Sequence, residues 1–302
     1  MKSKEPGEVI MEKIAVILVN YNGIKDTIEC IESIKESDCY KDITIVVVDN
    51  ASKNNEAEEI RRKFNDVVAI RSPDNGGFSE GNNFGIRYAL DKGAEYITLL
   101  NNDTIVDKKM ISTLMSRCQS DVVTAPQMLY YDEPNKTWYG GGRIDYWTGN
   151  AKHDYMNQID SPMTERTVTF ATGCCMMIGA TTLHKVGLLD ESYFMYCEDT
   201  DFCIRLGQQA IKIKFVPTAK LWHKVSSSTG GSDSTFSTYY MTRNRLNYIK
   251  KYKKQFHITA YPFTLMSRYI RMWQCKDETK RKAYRDAICD AKMGKIGRTE
   301  GY

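Results

Sequence analysis

Short apolar runs alternate with helix-like segments through the first 125 residues, and this alternation limits the fold more than any other feature of the chain. Each run is continuously apolar, as expected for parallel strands that are buried on both faces. A βα repeat of this kind predicts an α/β fold with a mostly parallel sheet flanked by helices. The predicted strands are residues 14–19, 43–48, 67–71 and 96–100, and the predicted helices are 27–36, 54–64 and 79–92.

The repeat is expected to end near Pro126, where the sequence changes character. Residues 127–165 contain aromatic and glycine-rich pieces, which predict hairpins or loops over the open edge of the sheet. A strand near 168–170 and a helix over 199–208 are predicted to follow. A Ser/Gly-rich loop over 224–237 precedes helices that continue to the end, with a break at Pro262.

These changes divide the chain into four predicted parts. They are a polar leader (1–12), the first half of the α/β domain (13–125), its second half (126–235) and a basic helical C-terminal extension (236–302).

The net charge of +4 is unevenly distributed along the chain. Residues 242–302 carry 16 Lys and Arg against 5 Asp and Glu, so the remaining residues are net −7. A basic tail on an acidic body predicts an anionic surface as partner. No nucleic-acid-binding motif accompanies the charge, so a nucleic acid is not expected to be that partner.

Several patterns bear on the cellular compartment. No run of about 18 apolar residues occurs, so no transmembrane helix is expected. The first 13 residues are polar and mixed in charge, unlike a signal peptide. The nine cysteines include no CxxC pair, and the adjacent Cys174 and Cys175 would form a strained disulfide. Buried thiols in a reducing cytoplasm are therefore predicted.

The fourth predicted strand ends in Asn101-Asn102-Asp103, two amides and a carboxylate. In open α/β sheets, ligands bind at the carboxyl ends of the strands. Oxygen-rich side chains there suit a hard divalent cation that bridges to substrate phosphates. The sequence therefore predicts a metal-assisted site for a phosphorylated ligand at this edge.

Two other strand ends carry polar groups. The first strand ends in Asn20-Tyr21-Asn22-Gly23, without the G-x-G-x-x-G of dinucleotide-binding folds, which argues against an NAD or FAD enzyme. The second ends at Asp49, which could accept the imide N–H of uracil or thymine, or could instead cap the following helix. Asn75-Gly76-Gly77 allows close backbone approach to a ligand, or forms a tight turn.

Six segments occur in a fixed order that resembles the family 2 glycosyltransferases of GT-A fold, particularly their rhamnosyltransferase-like branch. The resemblance covers roughly residues 12–250. The segments are Asn20-Tyr21-Asn22, Val48-Asp49-Asn50 with Ser52, Asn75-Gly76-Gly77-Phe78, Asn101-Asn102-Asp103, Glu198-Asp199 with Asp201, and Trp222-His223.

The resemblance implies roles for these residues. Asp103 is the last residue of a DxD motif whose first aspartate is replaced by Asn101, so the donor diphosphate is expected to complete the metal site. An imidazole ligand shifts the metal preference from Mg²⁺ towards Mn²⁺. The implied roles are nucleotide binding for Asn20, Tyr21, Asp49, Asn75, Gly76, Gly77 and Asn102, metal binding for Asp103, His223 and Asn101, acceptor binding for Glu198 and general-base catalysis for Asp199.

The implied function is an inverting, metal-dependent glycosyltransferase. It would move a sugar, with rhamnose the first candidate, from a dTDP- or UDP-sugar to a glycan or a polyprenyl-linked saccharide in cell-surface polysaccharide synthesis. The half over 13–125 would bind the nucleotide sugar, the half over 126–235 would bind the acceptor, and the Ser/Gly-rich loop would close over the donor. The alternatives are an inactive nucleotide-sugar- or carbohydrate-binding module, an interaction scaffold, and a nucleotide-sugar hydrolase or pyrophosphorylase.

Arg243 and the tail allow two interpretations each. Arg243 either steadies the departing diphosphate by charge-assisted bonds or is one more basic residue of the extension. In the tail, Ile258, Tyr261, Leu265, Tyr269 and Trp273 recur at helical spacing as one apolar stripe. With the nearby cations, the stripe either lies on the anionic inner face of the cell membrane or packs on the catalytic domain or a second subunit of a homodimer.

Overall fold

The computed structural model describes residues 13–225 and 234–302. The predicted leader lies outside the described residues, as does most of the predicted 224–237 loop. Twelve strands and nine α-helices occur in the described part. The strands are β1 (Ile14–Asn20), β2 (Ile43–Asp49), β3 (Val68–Arg71), β4 (Tyr96–Asn101), β5 (Thr104–Val106), β6 (Val122–Tyr130), β7 (Thr137–Tyr139), β8 (Gly142–Asp145), β9 (Asn150–His153), β10 (Arg166–Val168), β11 (Cys175–Gly179) and β12 (Lys212–His223). The helices are α1 (Ile24–Lys35), α2 (Glu56–Lys63), α3 (Gly77–Asp91), α4 (Met110–Met115), α5 (Ala180–Val186), α6 (Glu198–Gln208), α7 (Thr235–Lys251), α8 (Ala260–Gln274) and α9 (Glu278–Met293).

The main sheet has the order β10-β12-β6-β11-β4-β1-β2-β3, with β5 added on β12 and β7 on β6. The predicted α/β class and its mostly parallel core are confirmed, because β3, β2, β1 and β4 are parallel neighbours. β11 is antiparallel to both β4 and β6, so the sheet as a whole is mixed. Chain order reverses around β1, which has β2 on one side and β4 on the other. A crevice at the carboxyl ends of β1 and β4 follows from this reversal.

Pro126 does not end a strand but lies inside β6, which continues to Tyr130 before the predicted hairpin pieces begin. β6 pairs with β12 in parallel, and the register shifts between Val216 and Lys220, opposite Pro126. Proline has no N–H to donate to a ladder, and Pro217 follows Val216 on the facing strand, so an irregularity is expected there. The predicted boundary at 125/126 therefore cuts one strand of a sheet that both halves share.

Pro262 does not break a helix either, because it is the third residue of α8. The first-turn N–H groups of a helix have no intrahelical partner, so proline is tolerated there. The break between α7 and α8 falls over 252–259 instead. The region 127–165 holds the predicted hairpin structure, with β8 and β9 forming a separate two-stranded sheet.

The three C-terminal helices are packed unequally. Tyr239 and Tyr240 of α7 are fully buried, and Ala283 and Ala287 of α9 pack against them. The predicted stripe on α8 is divided. Tyr261 and Leu265 pack inward, whereas Ile258, Tyr269 and Trp273 are exposed. No helix in the described ranges is long and apolar enough to span a membrane.

Asp201 of α6 is a fully buried carboxylate that joins α6 to the end of α7. It accepts hydrogen bonds from Arg205 Nε (2.8 Å), Lys251 Nζ (2.5 Å) and Tyr252 Oη (2.7 Å). Asp201 and Arg205 thus form an i,i+4 ion pair on α6. A buried carboxylate is tolerated only with such partners.

We expect Asp201→Asn to lower the free energy of unfolding by about 3 kcal/mol, because two cations lose their buried counter-charge. Urea denaturation followed by circular dichroism measures the change. Glu58→Gln is the matched control, since Glu58 also pairs with two cations, Arg61 and Arg62, but at the surface. Its cost should stay below about 1 kcal/mol. Equal costs for the two variants would contradict a stabilising role for the buried network.

Candidate active site

A cavity of about 1220 Å³ opens where the carboxyl ends of β1 and β4 meet the start of α6. The β8–β9 hairpin and one side of α7 complete its wall. Most residues that the sequence predicts for the site line this one cavity. They are Tyr21, Asn75, Gly77, Asn101, Asn102, Asp103, Glu198, Asp199 and His223.

Asp103 and His223 are neighbours although 120 positions separate them. β5 pairs with β12 so that His223 faces Thr104, which places His223 Nε2 3.2 Å from Asp103 Oδ1. The Trp138 ring packs edge-on against the imidazole at 4.5 Å. His223 Nδ1 is buried without a hydrogen-bond partner in the described residues.

This pair fits two adjacent ligands of one divalent ion. Neighbouring ligands about 2.1 Å from an octahedral ion stand about 3 Å apart, close to the observed separation. No group of three His, Cys, Asp or Glu side chains suited to a metal occurs within 13–225 and 234–302. Protein ligands alone therefore leave most coordination positions to other donors, such as substrate phosphate and water.

Glu198 and Asp199 enter the cavity from the first turn of α6. The two residues before them, Tyr196 and Cys197, adopt left-handed φ angles of 67° and 75°, which are strained for non-glycine residues. Asn244 of α7 supports this turn, because its Nδ2 donates to the carbonyl oxygens of Met195 (2.9 Å) and Tyr196 (3.0 Å). Asn244 was not among the predicted site residues, because no local sequence pattern distinguishes it.

The two carboxyl groups differ in their hydrogen bonding. Asp199 accepts the backbone N–H groups of Gly173 (3.1 Å) and Thr200 (2.6 Å), whereas Glu198 Oε2 has no partner in the described structure. Burial raises the pKa of both, and the neighbouring Asp199 charge raises the pKa of Glu198 further. The Glu198 anion is stabilised by its own backbone N–H, whereas the Asp199 anion also has the N–H groups of Gly173 and Thr200 and the Thr200 hydroxyl. Glu198 therefore holds a proton more readily than Asp199 does.

The glycine-rich segment contacts protein instead of presenting free amides. Gly77 has φ +83°, and a Cβ there would lie 1.9 Å from the Phe194 carbonyl oxygen. The N–H of Phe78 donates to that oxygen, and the N–H of Gly77 donates to Asn75 Oδ1. The N–H groups of Gly77 and Phe78 at the start of α3 are therefore already used. Gly76 does not line the cavity.

Asn20 and Asp49, both predicted to bind the nucleotide, are buried behind the cavity wall. Asn20 Nδ2 donates to Glu56, and its Oδ1 accepts from Thr27, which in turn accepts from Asn102. Asp49 accepts from Ser52 N (3.0 Å) and from Arg71 Nη1 (2.6 Å). These contacts are those of the turn-and-cap alternative for Asp49, since the N–H groups of Ser52 and of Ala57 in α2 both donate to its carboxylate.

Arg243 does not reach the cavity, so its predicted contact with the diphosphate is not supported. It is fully buried, and it donates to Thr299 Oγ1 (3.0 Å) and the Gly297 carbonyl (2.8 Å) near the C-terminus. Residues two apart on a helix lie about 200° apart around it, so Arg243 and Arg245 face opposite directions. Arg245 is the one that lines the cavity. Helical periodicity indicates that only one of them faces the site, but not which.

The hairpin and the C-terminal segment add lining residues that the sequence did not suggest. Lys152 and His153 come from β9, and Arg298 comes from the segment after α9. Burial lowers the pKa of His153 to about 4, so this imidazole is neutral in neutral solution. His153 Nδ1 lies 3.1 Å from the Trp138 carbonyl oxygen. Its ring packs edge-on against the same Trp138 that contacts His223.

Comparison with known proteins agrees with this geometry. The chain is 29% identical over 255 residues to the low-salt glycan biosynthesis hexosyltransferase Agl10 of Haloferax volcanii, which covers 79% of this chain and 76% of that protein. It is 26% identical over 217 residues to the dTDP-rhamnosyl transferase RfbF of Shigella flexneri, which covers 72% and 70%. A crystal structure of GalNAc-T7 with UDP, GalNAc and Mn²⁺ superimposes with a TM-score of 0.66 at 16% identity, over 92% of this chain and 55% of that chain.

Residues 15–187 match the protein family described as "Glycosyl transferase family 2". This match spans more than half of the chain, and the superposition extends the likeness in fold to most of the rest. The chain therefore belongs to glycosyl transferase family 2, as a glycosyltransferase with the GT-A fold.

Proposed function

We propose that this enzyme is an inverting, metal-dependent hexosyltransferase that moves a sugar from a dTDP- or UDP-sugar to a glycan or a polyprenyl-linked saccharide. One observation carries the proposal: a metal-competent pair, Asp103 and His223, and a carboxylate at a helix start, Asp199, line the same cavity. Rhamnose is the first candidate for the sugar, supported by the name of the Shigella relative. The reaction would belong to cell-surface polysaccharide synthesis.

Asp199 is the proposed general base. In an inverting transfer the acceptor hydroxyl attacks the anomeric carbon opposite the leaving nucleotide, and a carboxylate takes its proton. Gly173 and Thr200 hold the Asp199 carboxylate by backbone N–H groups. Glu198, protonated beside it, can donate a hydrogen bond to another acceptor oxygen. Asp199 would thus remove the proton while Glu198 orients the acceptor.

The donor side of the proposed site is formed by the ends of β1 and β4. Asp103 and His223, with Asn101 beside them, would hold Mn²⁺ or Mg²⁺. A divalent ion supplies Lewis-acid stabilisation of the charge on the leaving diphosphate. Tyr21, Asn75, Gly77 and Asn102 line the same region and are the proposed nucleotide contacts, whereas Asn20, Asp49 and Gly76 support them from behind.

We expect Asp103→Ala and His223→Ala each to weaken Mn²⁺-dependent binding of UDP or dTDP by about tenfold or more, because each removes one ligand. Calorimetry with and without Mn²⁺ measures the metal-dependent part. His184→Ala, which removes an exposed histidine, is the control. If His223→Ala binds as the control does, His223 is a packing residue and the proposed metal site is wrong there.

We expect Asp199→Asn to keep donor affinity and to reduce transfer by roughly 10²–10⁴-fold, because an amide cannot accept the proton. Single-turnover transfer and calorimetry with UDP or dTDP measure the two quantities. Asp132→Asn, at an exposed position, is the matched control.

The pH profile adds a readout that a structural role would not produce. Since burial raises the pKa of Asp199, the base is lost on acidification at a higher pH than an ordinary aspartate near about 4 would show. The acidic limb of kcat/KM should therefore lie above that value. Near-normal turnover by Asp199→Asn would assign the base to another group.

The exposed side of α8 is the proposed contact with the inner face of the cell membrane. Its apolar face consists of Pro262, Phe263, Met266, Tyr269, Ile270 and Trp273, all of which are exposed. No Asp or Glu occurs over 258–276, whereas Lys253, Lys254, Arg271 and Lys276 are exposed at its margins. Each such cation contributes about 1 kcal/mol near anionic lipid. The positive charge around the apolar face of α8 favours an anionic bilayer as its binding partner.

We expect the triple variant Met266→Ser, Ile270→Ser, Trp273→Ser to lose most binding to phosphatidylglycerol vesicles in co-sedimentation, because it removes the inserted apolar groups. High salt and neutral vesicles should each weaken binding of the unmodified chain. Ile159→Ser, which changes another exposed isoleucine (73% exposed), is the control. Point variants are preferable to truncation, since α9 packs on α7.

Two results would contradict membrane contact. One is the absence of binding by the unmodified chain, or equal binding to neutral vesicles. The other is a change from dimer to monomer in the triple variant by analytical ultracentrifugation, which would assign the α8 face to a second copy of this chain.

A further inference from the structure

Arg245 of α7 is half-buried and Arg268 of α8 is buried, and neither has a carboxylate partner in the described ranges. Arg245 bonds Asn150, and Thr264, one helical turn before Arg268, bonds the Thr148 carbonyl, so both helices contact the same turn of the β8–β9 hairpin. Arg268 is only 7% exposed, and its Nε has no hydrogen-bond partner in the described residues. Burial, and next the nearby charge of Arg245, lower the pKa of Arg268 to about 10. The guanidinium therefore remains charged at neutral pH, in a place where a single charge is costly.

Arg245 connects this pair to the active-site cavity. It lines the cavity, and its Nη1 donates to the neutral amide oxygen of Asn150 (2.5 Å). Its Nε is buried and unpaired among the described residues. Asn244, the residue before Arg245, bonds the Met195 and Tyr196 carbonyls just before Glu198, so Arg245 lies at the same end of the cavity as the proposed base.

The pair is separate from the proposed donor-phosphate position. Arg245 contacts Asn150 at the start of β9, whereas His153 at its end is the residue near Trp138 and His223. Asn150 and His153 lie about 10 Å apart along β9, so Arg245 and the Trp138–His223 contact approach opposite ends of that strand.

A buried guanidinium without a counter-charge is costly, and guanidinium groups match phosphate oxygens in geometry. We propose that Arg245 and Arg268 form an anion subsite for a phosphate or diphosphate group carried by the acceptor, with Arg245 contacting the anion and Arg268 adding positive charge behind it. This rests on the proposed transferase function and deepens it, since it makes the acceptor a phosphorylated saccharide. The chemistry is shared with the donor diphosphate, so the test must separate the two sources.

The test is calorimetry of the full chain with two probes. The first is inorganic pyrophosphate in metal-free buffer, and the second is UDP or dTDP with Mn²⁺. We expect Arg245→Gln and Arg268→Met each to weaken pyrophosphate binding by about tenfold or more while Mn²⁺-dependent nucleotide binding stays unchanged. Arg117→Gln, which changes an arginine paired with Glu165 outside the cavity, is the control.

Thermal unfolding of the same variants separates binding from folding. Arg268→Met removes an uncompensated buried charge, so its unfolding midpoint should stay the same or rise while pyrophosphate binding falls. Absence of pyrophosphate binding by the unmodified chain would overturn the subsite. An equal loss of nucleotide binding would overturn it too, because the arginines would then serve the donor. In either case donor hydrolysis by the unmodified chain would still support a transferase.

Discussion

The arrangement of the catalytic end of the cavity depends on one side-chain amide. Asn244 donates to two successive carbonyl groups, of Met195 and Tyr196, and so holds the turn in which Tyr196 and Cys197 have left-handed backbone angles. Such angles cost of order 1–3 kcal/mol per non-glycine residue, so they persist only where other contacts enforce them. These backbone angles orient the first residues of α6 into the cavity. Because Asn244 belongs to α7, the C-terminal extension supports the proposed active site.

Strand order explains which part of the site local sequence patterns could predict. It also explains why the contact between Asp103 and His223 could not be predicted from local patterns. Apolar runs that end in polar residues identify the edges of β1 and β4, and parallel pairing then brings Tyr21, Asn102 and Asp103 to one crevice. Nothing local connects Asp103 with His223, because the contact depends on β5 folding back against the end of β12. Only the order of motifs resembling family 2 predicted that both belong to one site.

The predicted residues that miss the cavity share a physical cause. A polar residue at a strand end either faces the ligand or pairs with its own scaffold, and sequence does not distinguish these two uses. Asp49 pairs with Arg71, Asn20 with Glu56, and Arg243 with the C-terminal segment. All three are completely buried polar groups that require partners, which the protein itself provides. Pro126 and Pro262 were misleading for a related reason, since each occupies a position where no N–H donor is needed.

α8 connects the proposed membrane contact with the proposed anion subsite. One side of the helix is apolar and exposed, while Arg268 on another side is buried near Arg245. Thr264, also on α8, donates to the Thr148 carbonyl and so fixes the helix to the β8–β9 hairpin, whose Asn150 holds Arg245. An acceptor anchored in a bilayer cannot leave the surface, so its phosphate group must reach the enzyme close to that surface. If both proposals hold, a single helix carries the lipid-facing residues and one of the phosphate-binding cations, which satisfies this requirement without any movement of domains. Burying the Arg268 guanidinium without a counter-ion is unfavourable for folding. The cost would be offset during the reaction if the acceptor's phosphate group supplies that counter-ion.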